Sequence, residues 1–258
     1  MEQQVRYEVE AGTARLTIDR EAARNALSSQ VVAELGEGLA RAERDAAVRV
    51  IVLTGAGQRV FCAGGDLGSL EGDGFLAGHE GRRAYGRLLL SLQSVAKPTV
   101  ARLNGHALAG GLGLVLACDL AVASQDAALG TPEIDRGLFP MMVMALLQRH
   151  LGRKRALELV LGGGRITAAQ AQEWGLVNRV VPPAELDRAT AELAGLLAGK
   201  SQAVLALGRR SFFTAEDLPL AQAVEFLAAQ LSLNVLTEDA AEGVTAFLEK
   251  RPPTWRDR

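Results

Sequence analysis

The chain has 258 residues with 28 basic and 30 acidic side chains, a formal charge of −2, so it carries no electrostatic footprint for phosphate backbones and nucleic acid is not expected as a partner. At 48% hydrophobic and 22% charged it can bury a large core, which excludes disorder. The longest run without Asp, Glu, Lys or Arg, Leu103 to Cys118, has 16 residues and several small-residue breaks, short of the roughly 18 to 20 needed to span a bilayer, and no membrane segment is expected.

No basic leader followed by an apolar block opens the chain, so a cytoplasmic location is the expectation. Val5, Tyr7 and Val9 alternate with polar residues, Gly12-Thr13 interrupts, and Ala14, Leu16 and Ile18 alternate again, which predicts a hairpin. A helix follows from about Ser29. Val50 to Leu53 is a continuous apolar run ending in Thr54-Gly55, the pattern of a strand buried on both faces. A Gly-rich, charged loop is predicted from Leu67 to Gly81, then a helix carrying Tyr85, Leu88, Leu89 and Leu92, stopped by Lys97-Pro98 before a strand at Thr99 to Leu103. Ala109 to Ala117 is apolar all round and predicts a central, enclosed helix, with a strand resuming at Leu120 to Ala123.

Thr167 and Gln170 form a capping box for a short helix closed by Gly175, and Val177 to Val181 reads as a strand up to Pro182-Pro183. Beyond those prolines four helical patterns follow, near 185 to 198, 202 to 213, 219 to 235 and 238 to 250, the third with a stripe of Leu220, Val224, Leu227 and Leu231. The last has Glu238 and Asp239 at its start and is predicted to run to Lys250 and Arg251, matching the helix dipole at both ends. This order reads as an α/β core to about residue 183 and an all-helical remainder that packs on the core or on another subunit. The residues show no clear internal repeat.

Three stretches carry candidate chemistry. Phe61-Cys62-Ala63-Gly64-Gly65-Asp66-Leu67 is a small-residue turn where a backbone can approach a ligand. Asn104 to Gly113 ends a strand and opens the apolar helix with small residues only, leaving free N–H groups where negative charge can develop. Thr131-Pro132-Glu133-Ile134-Asp135-Arg136-Gly137 reads as a threonine cap, a first-turn proline and a carboxylate between the apolar flanks Leu129 and Ile134, which would desolvate that acid. Each also has a plain structural reading, as a tight turn, close helix packing and an ordinary helix start. Neither Gly111 to Leu116 nor Gly55 to Val60 completes a dinucleotide fingerprint. Ser94 and Lys97 match a Ser-x-x-Lys pattern without its partner motifs. Cys62 and Cys118 read as small buried hydrophobes, and His79, His106 and His150 lack the spacing of a metal site, so no metal is expected. Three methionines around Val143 suggest an adaptable apolar wall, or plain core.

Taken in order, these stretches resemble the crotonase superfamily of enoyl-CoA hydratases and isomerases. Arg24-Asn25-Ala26-Leu27 looks like the family's early element, Lys97 to Gly111 like its central signature, Leu161 to Val181 like its late segment, and Phe247-Leu248-Glu249-Lys250-Arg251 like its C-terminal helix end. The resemblance implies a spiral of ββα units over residues 1–183 and a helical trimerisation region over 184–258, assembled as a homotrimer or homohexamer. It implies an acyl-CoA thioester substrate and no separate cofactor, coenzyme A being part of the substrate. By residue match, Glu133 is the acid/base and the N–H groups of Gly65 and Gly110 hold the thioester oxygen as an enolate forms. Ala63, Gly64, Asp66, Leu67 and Gly111 would line the ligand, Arg24 its phosphates or pantetheine, and Phe247 and Lys250 a neighbouring subunit's ligand. Gly113 departs from the two-carboxylate hydratases, which carry a second glutamate there. One glutamate can still move a proton between Cα and Cγ, the isomerase reaction; it could also hydrate slowly, or borrow a carboxylate from elsewhere, with Asp135, Glu71 and Glu80 as candidates. Other readings are a CoA-binding relative without turnover, and RNA binding through Arg82-Arg83 and Arg153-Lys154-Arg155.

Overall fold

The computed structural model describes residues 3–66 and 74–258. The expected hairpin is β1 (Val5–Glu10) and β2 (Thr13–Ile18), turning at Ala11 and Gly12. Helix α1 (Ser29–Arg44), capped by the Ser28 hydroxyl on the Val31 N–H, leads into β3 (Val50–Gly55), buried at every position as its unbroken apolar run requires. The chain then alternates between two sheets. β3, β5 (Thr99–Leu103) and β7 (Leu120–Ser124) run parallel in a six-stranded sheet ordered β1-β2-β3-β5-β7-β10, the last being Arg179–Val181. Each is followed by a short strand in a second sheet: β4 (Val60–Cys62), β6 (His106–Leu108) and β8 (Ala128–Gly130). Helices α2 (Gly74–Ser94) and α3 (Gly110–Ala117) return the chain after the first two of these pairs. The residues show no repeat, yet the structure repeats. What recurs is strand parity, which unlike apolar residues satisfy equally well.

The parallel strands bury two different faces. Ile51, Leu53, Ala101, Leu103, Ala121 and Ala123 join the main core with α1, α2 and α3, while Val50, Val52, Val100 and Val122 face the other way. Beyond the composition change at residue 183, α7 (Leu186–Ala198) covers that second face with Leu186, Ala189, Leu193 and Ala194. Helices α4 (Met141–His150) and α5 (Arg153–Gly162) lead to β9 (Arg165–Thr167), antiparallel to β8, and α6 (Ala168–Glu173) carries the predicted capping box. Helices α8 (Gln202–Ala215), α9 (Leu220–Val235) and α10 (Glu238–Leu248) complete the chain. Helix α9 buries none of its residues, and Leu220, Val224 and Leu231 of its stripe are exposed.

Three expectations are corrected. The helix after the Gly-rich stretch starts at Gly74, inside the loop predicted to reach Gly81; Phe75 stacks on His79 and Glu80 pairs with Arg83, so neighbours one turn apart support it despite its glycines. The strand predicted at Val177 to Val181 is only β10 (Arg179–Val181), because Asn178 turns its side-chain oxygen to the Ala121 N–H, 2.8 Å away. The last helix stops at Leu248 rather than Arg251. Lys250 is left-handed (φ 55°), and the Arg251 guanidinium folds back to Glu242 and Glu249 instead of capping the helix. Lys97 donates to the Ala42 and Asp45 carbonyls at the end of α1, and Ser94 to the Ser91 carbonyl, so the Ser-x-x-Lys pattern is structural.

The turn between β3 and β4 is pinned by two buried asparagines. Asn25 donates to the Ala56 and Val60 carbonyls at 3.0 and 2.8 Å. Asn104 donates to Gly57 and Val60 at 3.0 and 3.1 Å and accepts from the Gly55 N–H at 3.1 Å. Asn104→Ala strands these groups away from water, and should cost about 3 kcal/mol. The expected result is a lower urea midpoint with unchanged slope; a midpoint like that of the parent chain would mean the turn holds itself.

Candidate active site

Register brings the three candidate stretches together. In the second sheet Cys62 lies beside Ala107, and Ala107 and Leu108 beside Leu129 and Gly130, all parallel. The residues just beyond these strands therefore leave one edge side by side: Ala63-Gly64-Gly65, Ala109-Gly110 and Thr131-Pro132-Glu133. Carboxyl ends of parallel strands are where open α/β sheets place their ligands, since the chain must change direction there.

The first turn is set by backbone contacts. Ala63 donates to the Arg24 carbonyl at 3.2 Å, Leu27 to Gly64 at 2.8 Å and Asp66 to Leu27 at 3.1 Å. Arg24 and Asn25 take left-handed φ values of 54° to make this fit. Gly64 is itself left-handed (φ 94°), and a Cβ there would stand 2.5 Å from the Ala109 Cβ and 3.1 Å from the Gly110 nitrogen. Only glycine allows that approach. The Leu27 and Gly65 bridge uses the Gly64 carbonyl and the Asp66 N–H, so the Gly65 N–H takes no part in it.

The second turn stores strain. Ala109 has φ 53° and ψ −128°, a region that costs a non-glycine residue about 1–3 kcal/mol. Its N–H donates to the Gly130 carbonyl at 2.9 Å and its carbonyl accepts from Leu112 at 2.9 Å, which hold the conformation. Gly110 then opens α3, whose residues from Gly111 to Ala117 are all buried. Gly111 packs so closely that a Cβ would stand 2.2 Å from the Cys62 carbonyl oxygen. Among the described residues neither Gly65 nor Gly110 has a partner for its N–H. Two unpaired donors, one at a helix start, form a place for negative oxygen.

Glu133 sits in a single 3-10 turn, Pro132–Arg136, closed by left-handed Gly137. The threonine cap expected there is corrected: the Thr131 hydroxyl donates instead to the Leu159 carbonyl at 2.8 Å, tying the turn to α5. Glu133 is half-buried, and its Oε2 is enclosed with no hydrogen-bond partner among the described residues. Burial pushes its carboxyl above the usual glutamate range, against a smaller opposing pull from its own backbone N–H and from Arg136.

Gly113 is not an open vacancy. A Cβ there would stand 2.1 Å from the Tyr85 hydroxyl and 3.2 Å from a Val143 methyl, and the same hydroxyl donates to the Gly110 carbonyl at 2.7 Å. Burial, then Cys62 and Glu133, push the Tyr85 hydroxyl well above its usual value, so it stays neutral. Sequence periodicity registers Tyr85 only as part of an apolar stripe. The signal for its hydroxyl was a lone polar tip facing a helix without polar side chains.

Asp66 pairs with Arg20 at 3.0 Å beside the first turn, while the exposed Arg24 guanidinium has no ion pair among the described residues. Phe247 and Lys250 lie at the end of α10, which packs on α8 and α9, and Phe247 is 81% exposed; no described hydrogen bond joins either to Gly65, Gly110 or Glu133. Leu67 and Glu71 lie outside the described residues. Of the other candidate carboxylates, Glu80 is engaged with Arg83 and Arg87 on the exposed first turns of α2, and Asp135 is exposed, its carboxylate oxygen 3.2 Å from where a Gly163 Cβ would stand. Arg83 pairs with Glu80, and Arg155 stacks on Trp174, so part of the suggested basic patch is engaged internally.

A folded-state carboxyl held above its unfolded value binds its proton more tightly when folded, so its charge opposes folding once pH exceeds that range. Glu133→Gln should therefore raise the melting temperature at neutral pH, with the gain fading below about pH 4. An equal melting temperature for both proteins at pH 7 would mean that the carboxylate is well solvated.

A sequence profile described as enoyl-CoA hydratase/isomerase matches residues 8–258. The 2,3-dehydroadipyl-CoA hydratase of Escherichia coli K12 is 35% identical over 94% of this chain and 94% of its own. The short-chain-enoyl-CoA hydratase of Clostridium acetobutylicum is 31% identical over 95% and 94%. The crystal structure of an enoyl-CoA hydratase from Mycobacterium smegmatis superimposes with a TM-score of 0.94 at 35% identity, over 98% of this chain and 99% of that one.

Proposed function

The chain belongs to the enoyl-CoA hydratase/isomerase family and has the crotonase fold, and from that premise we propose that it acts on an enoyl-CoA thioester through an enolate, with Glu133 as its single acid/base. The thioester oxygen accepts hydrogen bonds from the Gly65 and Gly110 N–H groups, which strengthen as it gains negative charge. Glu133, poised by burial, takes the proton from Cα and delivers it to Cγ, so a 3-enoyl thioester becomes a 2-enoyl thioester without bound water. The observation that carries this choice is the Tyr85 hydroxyl, 2.1 Å from any Cβ at position 113: the volume from which a second carboxylate would grow is filled.

A second reading, hydration of the 2-enoyl thioester, is favoured by the two named hydratases, each matched over nearly its whole length. On either reading no cofactor is needed beyond the coenzyme A of the substrate. In this reading Arg24 lies near its phosphates or pantetheine, Ala63, Gly64, Asp66 and Gly111 line it, and Phe247 and Lys250 serve a neighbouring subunit. The assembly proposed is a homotrimer or homohexamer, supported by exposed Leu220, Val224 and Leu231 on α9.

Incubation with 3-enoyl-CoA and with crotonyl-CoA in D₂O, read by mass spectrometry, tests the reaction. The expected result is conversion of the 3-enoyl to the 2-enoyl thioester, slowed about 10² to 10⁴-fold by Glu133→Gln. Accumulation of 3-hydroxyacyl-CoA would favour hydration, and turnover unaffected by Glu133→Gln would overturn the assignment of that residue. Light scattering should give three or six times the chain mass, and Leu220→Lys with Leu231→Lys should reduce it to one; a monomeric parent would sink the assembly.

A further inference from the structure

Tyr85 is the one phenol set against the start of α3. Its hydroxyl donates to the Gly110 carbonyl at 2.7 Å and lies 3.4 Å from where a Gly110 Cβ would stand, and 2.1 Å from the Gly113 equivalent. Two glycines three residues apart on one helical face thus form a notch, and the hydroxyl fills it. The bond also crosses between elements, since Tyr85 belongs to α2 and Gly110 to α3.

The direction of the Gly110 N–H depends on the peptide between Ala109 and Gly110, and Ala109 holds it at a strained ψ of −128°. Such a conformation persists only where the surroundings over-determine it. On the sheet side the Gly130 carbonyl and the Gly64 contact do so. On the helix side the Tyr85 bond adds a restraint from a different element, and burial keeps its hydroxyl protonated to donate it.

We propose that the Tyr85 hydroxyl is a positioning residue: by holding the Gly110 carbonyl it aims the Gly110 N–H at the thioester oxygen, and by filling the notch it restricts position 113 to glycine. This rests on the reading of Gly110 as an oxyanion donor. It makes the single-carboxylate character of the site a property of a pair, Tyr85 and Gly113, rather than of one missing side chain.

Three measurements on the intact protein test it. Tyr85→Phe removes one oxygen and keeps the ring; kcat should fall about tenfold with KM within about twofold, because the donor matters most as charge develops. The thioester carbonyl stretch of bound, unreactive [1-¹³C]butyryl-CoA should shift down on the parent chain and less on Tyr85→Phe. A purely structural tyrosine would lower the melting temperature and leave both the stretch and kcat unchanged, which overturns the positioning role. Gly113→Ala should lower the melting temperature in the parent but much less in the Tyr85→Phe background, where the nearest atoms to the new Cβ lie at 3.2 and 3.4 Å; an equal loss in both overturns the notch. If butyryl-CoA binds and shows no downshift on the parent, the oxyanion reading beneath the proposal fails, whereas a downshift that Tyr85→Phe leaves intact overturns the positioning role alone.

Discussion

The approach of Gly64 to the Ala109-Gly110 junction, close enough that a Cβ would stand 2.5 Å from the Ala109 Cβ, is the contact around which the candidate site is arranged. It joins the end of β4 to the start of α3 and brings together the two turns whose Gly65 and Gly110 N–H groups have no partner among the described residues. The parallel register of β4, β6 and β8 makes the approach possible, and the buried Asn25 and Asn104, bonded to the turn that leads into β4, keep that turn from relaxing away from it. Adding one methyl group at residue 64 would therefore do more than crowd a turn. It would separate the two donors.

The same burial acts on several groups in different ways. Enclosing α3 on every side removes competing side chains from its first turn, and the Gly110 N–H is left without a partner among the described residues. Enclosing Glu133 leaves Oε2 without a partner and raises its affinity for a proton. Both states are unfavourable for a folded chain. They persist because the large sheet, closed on one face by α1 to α3 and on the other by α7, supplies a core big enough to carry them.

Much of the architecture is legible in the residues. The unbroken apolar run Val50 to Leu53 marks a strand buried on both faces, and the wholly apolar segment from Ala109 marks a central helix, because burial on all sides leaves no alternative composition. The three turns that converge were legible one by one, through glycine, proline and a capped carboxylate pattern. Their convergence was not, since it depends on register between strands of three residues each. The last helix and β10 are shorter than their patterns predict where a side chain competes with regular structure, Arg251 in one case and Asn178 in the other. Tyr85 was legible as buried and illegible as polar. Periodicity reports which face a residue occupies and says nothing of where a hydroxyl at its tip ends.

The pairing of a glutamate with a tyrosine has an electrostatic consequence. Two carboxylates in one enclosed site repel, so one must hold its proton or both must be solvated. A phenol adds a hydrogen-bond donor without adding a charge, and its proton is held more firmly here because burial, Cys62 and Glu133 all act in the same direction. The site then has one carboxyl whose hold on its proton is raised by burial and one phenol that stays neutral. Such a site suits a reaction that lifts a single proton and returns it, because the acid formed in the first half is the same group needed in the second. Water addition asks for a further group to orient the incoming oxygen, and the volume from which such a group would reach out at position 113 is occupied by the tyrosine's own oxygen.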